Sequence, residues 1–263
     1  MITSLTNDKV KLARGLARRR VRWQERCFIV EGARMFSEML RRDLHPRYVL
    51  HTETALQNAE AAPLLDLLVQ RSIPRYLVSD EVMAACTDTV TPPGLLAIVP
   101  FPELPAPTPA TWVLVVDNVR TPGNLGTILR TAAAAGVDQA LLSPGTVDLY
   151  NPKVVRGGAG AHFCLPVFWL SWHEIEARLQ GLTVWLAAIG GDRPYSSVDW
   201  EAPVALIIGG EAHGASQPAL ALADGRVTIP MARDIESLNA AVAAGVLLFE
   251  IARRRCDVGS ALE

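Results

Sequence analysis

The stretch Val204-Ala205-Leu206-Ile207-Ile208-Gly209-Gly210 indicates the fold class of this chain. Its first five residues are all apolar, without the alternation of polar and apolar positions that marks a half-exposed strand. Such a run is typical of a strand in a parallel sheet that helices cover on both faces. The two glycines after it allow a sharp turn and a close approach of the backbone to a ligand. Because open α/β sheets bind ligands at the carboxyl ends of their strands, we expect a site after Ile208.

Apolar strands alternate with helical patterns along the rest of the chain, as expected for an α/β protein. In the C-terminal half, the predicted strands are residues 112–116, 139–142, 183–188, 204–208 and 226–229, and the predicted helices are residues 125–135, 172–180, 217–223 and 238–255. In the N-terminal half, the predicted strands are residues 28–30, 48–50, 75–78 and 95–99, and the predicted helices are residues 33–42, 59–71 and 80–86.

A proline-rich segment separates the two halves. Residues 100–109, PFPELPAPTP, hold five prolines in ten positions and can form neither a helix nor a central strand. We therefore predict a small α/β domain at residues 1–100, a linker at 101–110 and a parallel-sheet domain at 111–263.

Composition and cysteine spacing exclude several classes of protein. Half of the residues are apolar, which is enough for a complete core. The four cysteines are far apart in sequence and form no Cys-x-x-Cys pair, so we expect neither a disulfide framework nor a metal site. No signal-peptide core and no apolar stretch of roughly 18 residues is present. These features predict a cytoplasmic protein that does not enter a membrane.

Positive charge is concentrated near the N-terminus, although the net charge of the chain is −2. Residues 1–47 carry twelve Lys or Arg against five Asp or Glu. Such a strip can bind the phosphates of a nucleic acid, or it can be the solvated face of a helix. Trp23 can stack on a base or pack in the interior. The candidate RNA-binding residues are Lys9, Lys11, Arg18, Arg19, Arg20 and Arg22.

Three polar turns follow predicted strands of the C-terminal half. The first leads to Asn124 and Arg130, which alone can be a helix-capping Asn and a solvated Arg. The second holds Gly209, Gly210 and Glu211, which can equally be turn glycines and a capping Glu. Neither G-x-G-x-x-G nor G-x-x-x-x-G-K-[ST] occurs, which disfavours a nicotinamide or P-loop enzyme. We interpret His213 as structural.

The third turn opens the last predicted helix. Ser237 is its predicted N-cap, and Asn239 follows within the same polar start. The predicted apolar face of this helix consists of Leu238, Ala241, Val242, Gly245, Val246, Phe249 and Ala252.

These three turns resemble the motifs of the SpoU, or TrmH-like, branch of the SPOUT RNA ribose 2′-O-methyltransferases. The matching segments are Asn124 to Arg130, Gly-x-Glu-x-x-Gly at residues 209–214, and Ile229-Pro230-Met231 followed by Ser237-Leu238-Asn239. The sequence Phe28-Ile29-Val30-Glu31-Gly32-Ala33-Arg34 and the later Pro93-Gly94 are similar to a ribosomal-protein-like substrate-binding domain that many members carry. One departure is Gly157-Gly158, where relatives commonly have a Ser, and it puts a hydroxyl contribution from that loop in doubt.

The resemblance implies a trefoil-knotted domain, a homodimer, and S-adenosylmethionine bound in the knot. The cofactor-binding residues it implies are Gly209, Gly210, Ile229, Met231 and Leu238. The catalytic residues it implies are Asn124, Arg130, Glu211, Ser237 and Asn239. Arg130 is expected to bind the phosphate of the target nucleotide and to stabilise the developing alkoxide, with proton removal by Arg130 itself as a second hypothesis.

Large-subunit ribosomal RNA is the expected substrate, with transfer RNA as the alternative. A catalytically silent RNA-binding protein on the same scaffold is a further alternative, although such a protein would normally have lost Arg130 or Asn239. A base methyltransferase would be expected to carry different motifs.

Overall fold

The chain divides into two compact units in the computed structural model, which describes residues 1–89, 91–201, 203–210, 214–233 and 235–259. The first unit contains Met1–Glu103 together with Asp148–Phe163, and the second contains Leu104–Val147 with Cys164–Glu263. The sequence-based boundaries did not anticipate that residues 148–163 belong to the first unit.

The first unit is built on a four-stranded sheet. Its strands are β1 (Cys27–Glu31), β2 (Tyr48–His51), β3 (Arg75–Leu77) and β4 (Leu95–Pro100), in the order β1-β4-β2-β3. Only β2 and β3 run parallel; β4 pairs antiparallel with both of its neighbours. The helices before residue 100 are α1 (Asp8–Gly15), α2 (Arg19–Glu25), α3 (Ala33–Arg41), α4 (Glu53–Gln57), α5 (Ala62–Gln70) and α6 (Asp80–Cys86). The predicted helix 59–71 is shorter than expected, and α4 was not predicted.

A parallel sheet forms the second unit, as predicted, but among the described residues it has seven strands where five were predicted; Val167–Trp169 and Arg193–Pro194 are the additional ones. Its strands are β5 (Trp112–Val116), β6 (Gln139–Leu142), β7 (Val167–Trp169), β8 (Thr183–Ala187), β9 (Arg193–Pro194), β10 (Val204–Ile208) and β11 (Gly225–Thr228), in the order β7-β6-β5-β10-β8-β11-β9. The helices from residue 111 onward are α7 (Pro122–Ala135), α8 (Pro152–Gly158), α9 (Trp172–Leu179), α10 (Gln217–Leu222) and α11 (Ala240–Gly259). Strand β10, the continuous apolar run Val204–Ile208, is fully buried between β5 and β8.

Residues 148–163, which include α8, pack in the first unit through aromatic side chains. The ring of Tyr150 stacks on Phe101, with centroids 3.7 Å apart, and also contacts Phe28 at 5.0 Å. His162 lies in the same cluster and shares a hydrogen bond of 2.9 Å between Nε2 and the Leu149 carbonyl oxygen. This cluster explains why the segment belongs to the first unit, because large aromatic rings bury a large apolar area when they pack together.

The buried face of α11 differs from the predicted one. Its buried residues are Ala241, Ala244, Leu247, Leu248 and Ile251, whereas Val242 and Phe249 are exposed. The true core face is therefore displaced by about 100° from the predicted face, which is the rotation of one residue in an α-helix. An exposed apolar face on α11 is the consequence.

Candidate functional site

A cavity of about 960 Å³ opens at the carboxyl ends of β8, β10 and β11 and at the start of α11. All five residues predicted to bind the cofactor line it: Gly209, Gly210, Ile229, Met231 and Leu238. These residues come together because neighbouring parallel strands end at the same edge of the sheet. The cavity is therefore in the place that the sequence predicted.

Apolar side chains are exposed to solvent in this cavity. Met231 is 39% exposed and Leu238 is 36% exposed, while Ile189 is among the most exposed large apolar residues of the chain. Exposed apolar groups in a concave site are typical of ligand pockets, which are mostly apolar with a few polar groups for orientation. The volume and the lining both suit a nucleoside-sized ligand such as S-adenosylmethionine.

The two glycines after β10 are required by backbone packing. A Cβ on Gly210 would lie 2.5 Å from the carbonyl oxygen of Asn118, and one on Gly209 would lie 2.9 Å from the Ala215 nitrogen. The loop also closes on itself through an antiparallel bridge between Gly210 and Gly214. Sequence reasoning expected these glycines for a close approach to a ligand; the structure shows that they allow a close approach of one chain segment to another.

Asn239 and Asn124 meet beside the cavity. Asn239 Nδ2 donates a hydrogen bond of 3.1 Å to Asn124 Oδ1. Asn239 Oδ1 also accepts from the backbone N–H groups of Ala241 and Val242, at 2.9 and 3.4 Å. Asn239 is thus the residue that caps α11, and the prediction of Ser237 as its N-cap was wrong. A carboxamide can accept from the helix and donate elsewhere at the same time, which a capping hydroxyl does less readily.

Asn124 does not cap α7. The N-cap is Thr121, and Asn124 lies in the first turn after Pro122. The predicted helix began at Leu125 and therefore missed this first turn. Proline does not interrupt the helix here, because it is favoured at the first helical position. The side chain of Asn124 is thereby available to the start of α11.

The other three predicted catalytic residues are Ser237, Arg130 and Glu211. Ser237 lines the cavity. Arg130 is exposed on α7 and forms no hydrogen bond or ion pair with any residue that the structure describes. Six residues separate it from Asn124, which places the two side chains about 120° apart around the helix axis. Glu211 and His213 lie outside the described residues.

Sequence reasoning missed Asp117, at the carboxyl end of β5. Its carboxylate is fully buried and accepts hydrogen bonds from Ser143 Oγ at 2.9 Å and from the Ser216 backbone N–H at 2.7 Å. A carboxylate that directly follows the strand Trp112–Val116 was the available signal, since an acidic residue is rarely buried without a structural or functional reason.

The N-terminal basic strip requires one correction. Arg22 is only 2% exposed; it pairs with Asp148 and donates to the carbonyl oxygens of Leu16 and Ala17 at 2.7 and 2.8 Å. It is therefore a structural residue, not a phosphate ligand. Trp23 packs beside it and donates from Nε1 to Asp148 at 2.9 Å.

The other members of the strip are accessible to different degrees. Lys9 is half-buried, with Nζ 4.5 Å from the centre of the Tyr76 ring, and Lys11 pairs with Asp8 at 3.2 Å. The exposed arginines around the start of α2 are Arg18, Arg19 and Arg20. These three present positive charge to solvent and remain candidates for phosphate binding.

In the part of the chain that the structure describes, no group of three or more His, Cys, Asp or Glu side chains is arranged to hold a metal ion. No helix there combines the length and apolar character needed to cross a bilayer.

Comparison with known proteins shows similarity along almost the whole chain. The model of the SpoU rRNA Methylase family matches residues 111–249, and the model of the MRM3-like substrate binding domain matches residues 7–97. The 23S rRNA (guanosine(2553)-2′-O)-methyltransferase RlmP of Bacillus subtilis is 33% identical, over 95% of this chain and 98% of its own. The mitochondrial rRNA methyltransferase 3A of Danio rerio is 37% identical, over 88% of this chain and 65% of its own.

Solved structures are similar as well. The SpoU methyltransferase AviRb from Streptomyces viridochromogenes, in complex with AdoMet, superposes with a TM-score of 0.84 at 26% identity, over 95% of this chain and 98% of its own. The AdoMet-bound rRNA methyltransferase from Sinorhizobium meliloti gives a TM-score of 0.83 at 28% identity, over 96% and 97% of the two chains.

Proposed function

This chain belongs to the SpoU rRNA methylase family, and from this premise we propose that it methylates a ribose 2′-hydroxyl of large-subunit ribosomal RNA with S-adenosylmethionine as methyl donor. One observation carries the proposal. The segments at residues 209–210, 229–231 and 235–239 line a single cavity, and Asn239 is hydrogen-bonded to Asn124 of the first motif. The names of the similar proteins favour ribosomal over transfer RNA.

The cofactor's contribution is an electrophilic methyl group on a sulfonium. The chain supplies the wall of the cavity, in which backbone groups of Gly209 and Gly210 and the side chains of Met231 and Leu238 would hold the nucleoside. Methyl transfer would replace the carbon–sulfur bond by a carbon–oxygen bond at the ribose O2′, and the hydroxyl proton would pass to solvent. Holding the two reactants in the correct orientation lowers the barrier, by roughly 7 kcal/mol or more in favourable cases.

Arg130 has the chemistry of an anion ligand. A guanidinium stays protonated, so it stabilises a phosphate or a developing alkoxide better than it accepts a proton. Asn124 and Asn239 already orient each other through their hydrogen bond, and with Ser237 they would orient the ribose. Glu211 completes the proposed set. It lies outside the described residues, so its role follows from the motif alone.

We also propose that the enzyme is a homodimer with a trefoil-knotted catalytic domain. The exposed apolar side chains of Val242 and Phe249 on α11 favour a partner surface there, because a monomer gains nothing by exposing them. Arg130 points away from Asn124 around α7, which favours a site that combines Arg130 of one subunit with the cavity of the other.

The N-terminal unit is proposed to bind the RNA substrate, through Arg18, Arg19 and Arg20 and with Lys9 and Lys11 nearby. We retain residues 1–100 and 111–263, joined by the linker at 101–110, as the proposed functional division. A cytoplasmic location is proposed as well, because Cys27 and Cys86 form no disulfide with any residue that the structure describes, as is usual in a reducing compartment.

The proposed function is tested with the purified full chain, S-adenosylmethionine carrying a labelled methyl group, and ribosomal RNA from a strain that lacks the gene. We expect the label at one ribose 2′-oxygen, found as a single nucleotide resistant to alkaline cleavage. Label on a base, or on transfer RNA alone, would contradict the proposed substrate. Wild-type protein that does not bind S-adenosylmethionine in calorimetry would contradict the proposed reaction.

A further inference from the structure

Asp117 is a buried carboxylate whose hydrogen bonds reach across the chain. Its Oδ1 accepts from Ser143 Oγ, and its Oδ2 accepts from the backbone N–H of Ser216, 99 residues away in sequence. Among the described residues, no Lys, Arg or His forms an ion pair with it. A buried carboxylate is costly unless it is hydrogen-bonded, so these two donors are what make its burial tolerable.

The hydrogen bond to Ser216 fixes the far end of the loop that follows β10. At the near end, Gly210 packs against the carbonyl oxygen of Asn118, where a Cβ would lie only 2.5 Å away. The turn at Asp117 and Asn118 therefore contacts the loop on both sides of the undescribed residues, at Gly210 and at Ser216. Gly209, Gly210, Gly214 and Ala215 of this loop line the cavity. Asp117 itself is not among the lining residues.

We propose that Asp117 is a positioning residue for S-adenosylmethionine. Its carboxylate holds Gly214, Ala215 and Ser216 in place at the cavity wall before the cofactor binds, so that binding does not have to order them. Preorganisation of this kind raises affinity by lowering the entropy lost on binding. The inference rests on the proposed function only for the identity of the ligand in the cavity.

Substitutions at Asp117 test whether its two carboxylate oxygens are needed as acceptors. Asp117→Leu is close in size but accepts no hydrogen bond, so the Ser216 N–H would be buried without a partner unless the loop moved. We expect the Kd for S-adenosylmethionine to rise about ten- to a hundredfold, the size of effect that an unsatisfied buried donor produces. Asp117→Asn keeps one acceptor oxygen, and we expect it to recover most of the affinity.

A second variant removes the same hydrogen bond from the donor side. Ser216 has φ −70° and ψ 162°, backbone angles that proline adopts, so Ser216→Pro deletes the N–H donor without requiring new backbone angles at this residue, and its Cδ displaces the Asp117 carboxylate from its hydrogen-bonded position. The matched control is Thr146→Val, which removes a buried hydrogen bond of 3.2 Å to Val116, the neighbour of Asp117, without touching the loop. We expect Ser216→Pro to raise the Kd as Asp117→Leu does and Thr146→Val to leave it within about threefold.

Calorimetry with S-adenosylmethionine and steady-state methyl transfer by the full chain distinguish positioning from general stability. A positioning role raises the KM for S-adenosylmethionine and lets kcat recover at saturating cofactor; a merely structural role lowers kcat through loss of active protein and leaves KM unchanged. Wild-type Kd in both Asp117→Leu and Ser216→Pro, or an equal loss in Thr146→Val, would overturn the inference. Absence of binding by the wild type would instead overturn the proposed function.

Discussion

Asn239 donates a hydrogen bond of 3.1 Å to Asn124, although 115 residues separate the two in sequence. The bond joins the first turn of α7 to the residue that caps α11. Two helices that start at the same edge of the sheet are thereby held side by side at their N-termini. The carboxamide pair is thus both a structural link between α7 and α11 and a candidate for orienting the ribose.

These two roles of Asn239 can be separated by substitution. Asn239→Ala should lose the cap and the bond to Asn124, and lower the free energy of unfolding by about 1 kcal/mol. Asn239→Ser retains a capping oxygen but cannot reach Asn124, so its stability should be close to wild type while methyl transfer falls about tenfold or more. Urea unfolding and single-turnover methyl transfer measure the two effects. Full activity in both Asn239→Ser and Asn124→Ala would show that the bond has no catalytic value.

Arg130 should affect chemistry and not stability. It is exposed and forms no hydrogen bond or ion pair with a described residue, so Arg130→Ala should change the free energy of unfolding by less than about 0.5 kcal/mol. We expect kcat to fall by about 10² to 10³, the usual loss when a group that stabilises developing charge is removed. Arg193→Ala, at another exposed arginine of the second unit, is the control and should stay near wild type.

Mixing two inactive variants extends this test to the proposed dimer. If Arg130 acts at the partner's cavity, a mixed dimer of Arg130→Ala and Asn239→Ala subunits contains one intact site, and activity should return on mixing. No recovery after verified subunit exchange would place both residues in the same subunit's site.

Arg22 and its neighbours in the basic strip should separate into a structural and an RNA-binding class. Arg22→Ala leaves Asp148 buried without its cation, so the free energy of unfolding should fall by about 3 to 5 kcal/mol. Arg18→Ala and Arg20→Ala should change it by less than about 0.5 kcal/mol. These two should instead weaken RNA binding and reduce its dependence on salt concentration. Salt titrations of RNA affinity that are unchanged in both variants would exclude this surface.

His162 should make stability depend on pH. Burial lowers the pKa of His162 from its usual value of 6.5, opposed by its hydrogen bond to Leu149. Below pH 6.5 the unfolded chain therefore takes up a proton that the folded chain does not, and stability falls as the pH decreases, by up to about 1.4 kcal/mol per pH unit.

His162→Gln keeps a donor for the Leu149 carbonyl but does not titrate, so the slope should decrease by that contribution. Burial also lowers the pKa of His51, so His51 should contribute a similar pH dependence that remains in this variant. Urea unfolding between pH 5 and 7, conditions set by the usual His pKa of about 6.5, measures the slope. His173→Gln replaces an exposed His and is the control. An unchanged slope in His162→Gln would contradict the prediction.

Phe249 should report on the oligomeric state. Its side chain is 53% exposed on α11, so a charge there costs a monomer little. If this face is the dimer interface, Phe249→Glu should convert the dimer to a monomer in sedimentation velocity, because a buried carboxylate without a partner opposes association. Val69→Glu alters a similarly exposed residue of the first unit and should leave the mass unchanged. A Phe249→Glu protein that is still dimeric would place the interface elsewhere.

Local patterns in the sequence were sufficient for the parallel sheet and the position of the cavity. The strand Val204–Ile208 and the turn glycines after it carry their information in consecutive residues, and parallel strands bring such turns to one edge whatever the details of packing. The family resemblance, not the strand pattern, implied Ile229, Met231 and Leu238, and these residues line the same cavity.

Contacts between distant residues determined everything else, and no local pattern encodes them. The burial of Arg22 depends on Asp148, 126 residues later in the sequence. Asn239 caps α11 and also donates a hydrogen bond to Asn124, 115 residues earlier. Asp117 drew no attention in the sequence because its partner, the Ser216 N–H, is a backbone group that every residue but proline possesses. Sequence alone determined the long apolar strands but not the short edge strands β7 and β9. Only the tertiary structure decided which polar groups are buried against each other, because that depends on which partners the fold brings within hydrogen-bond distance.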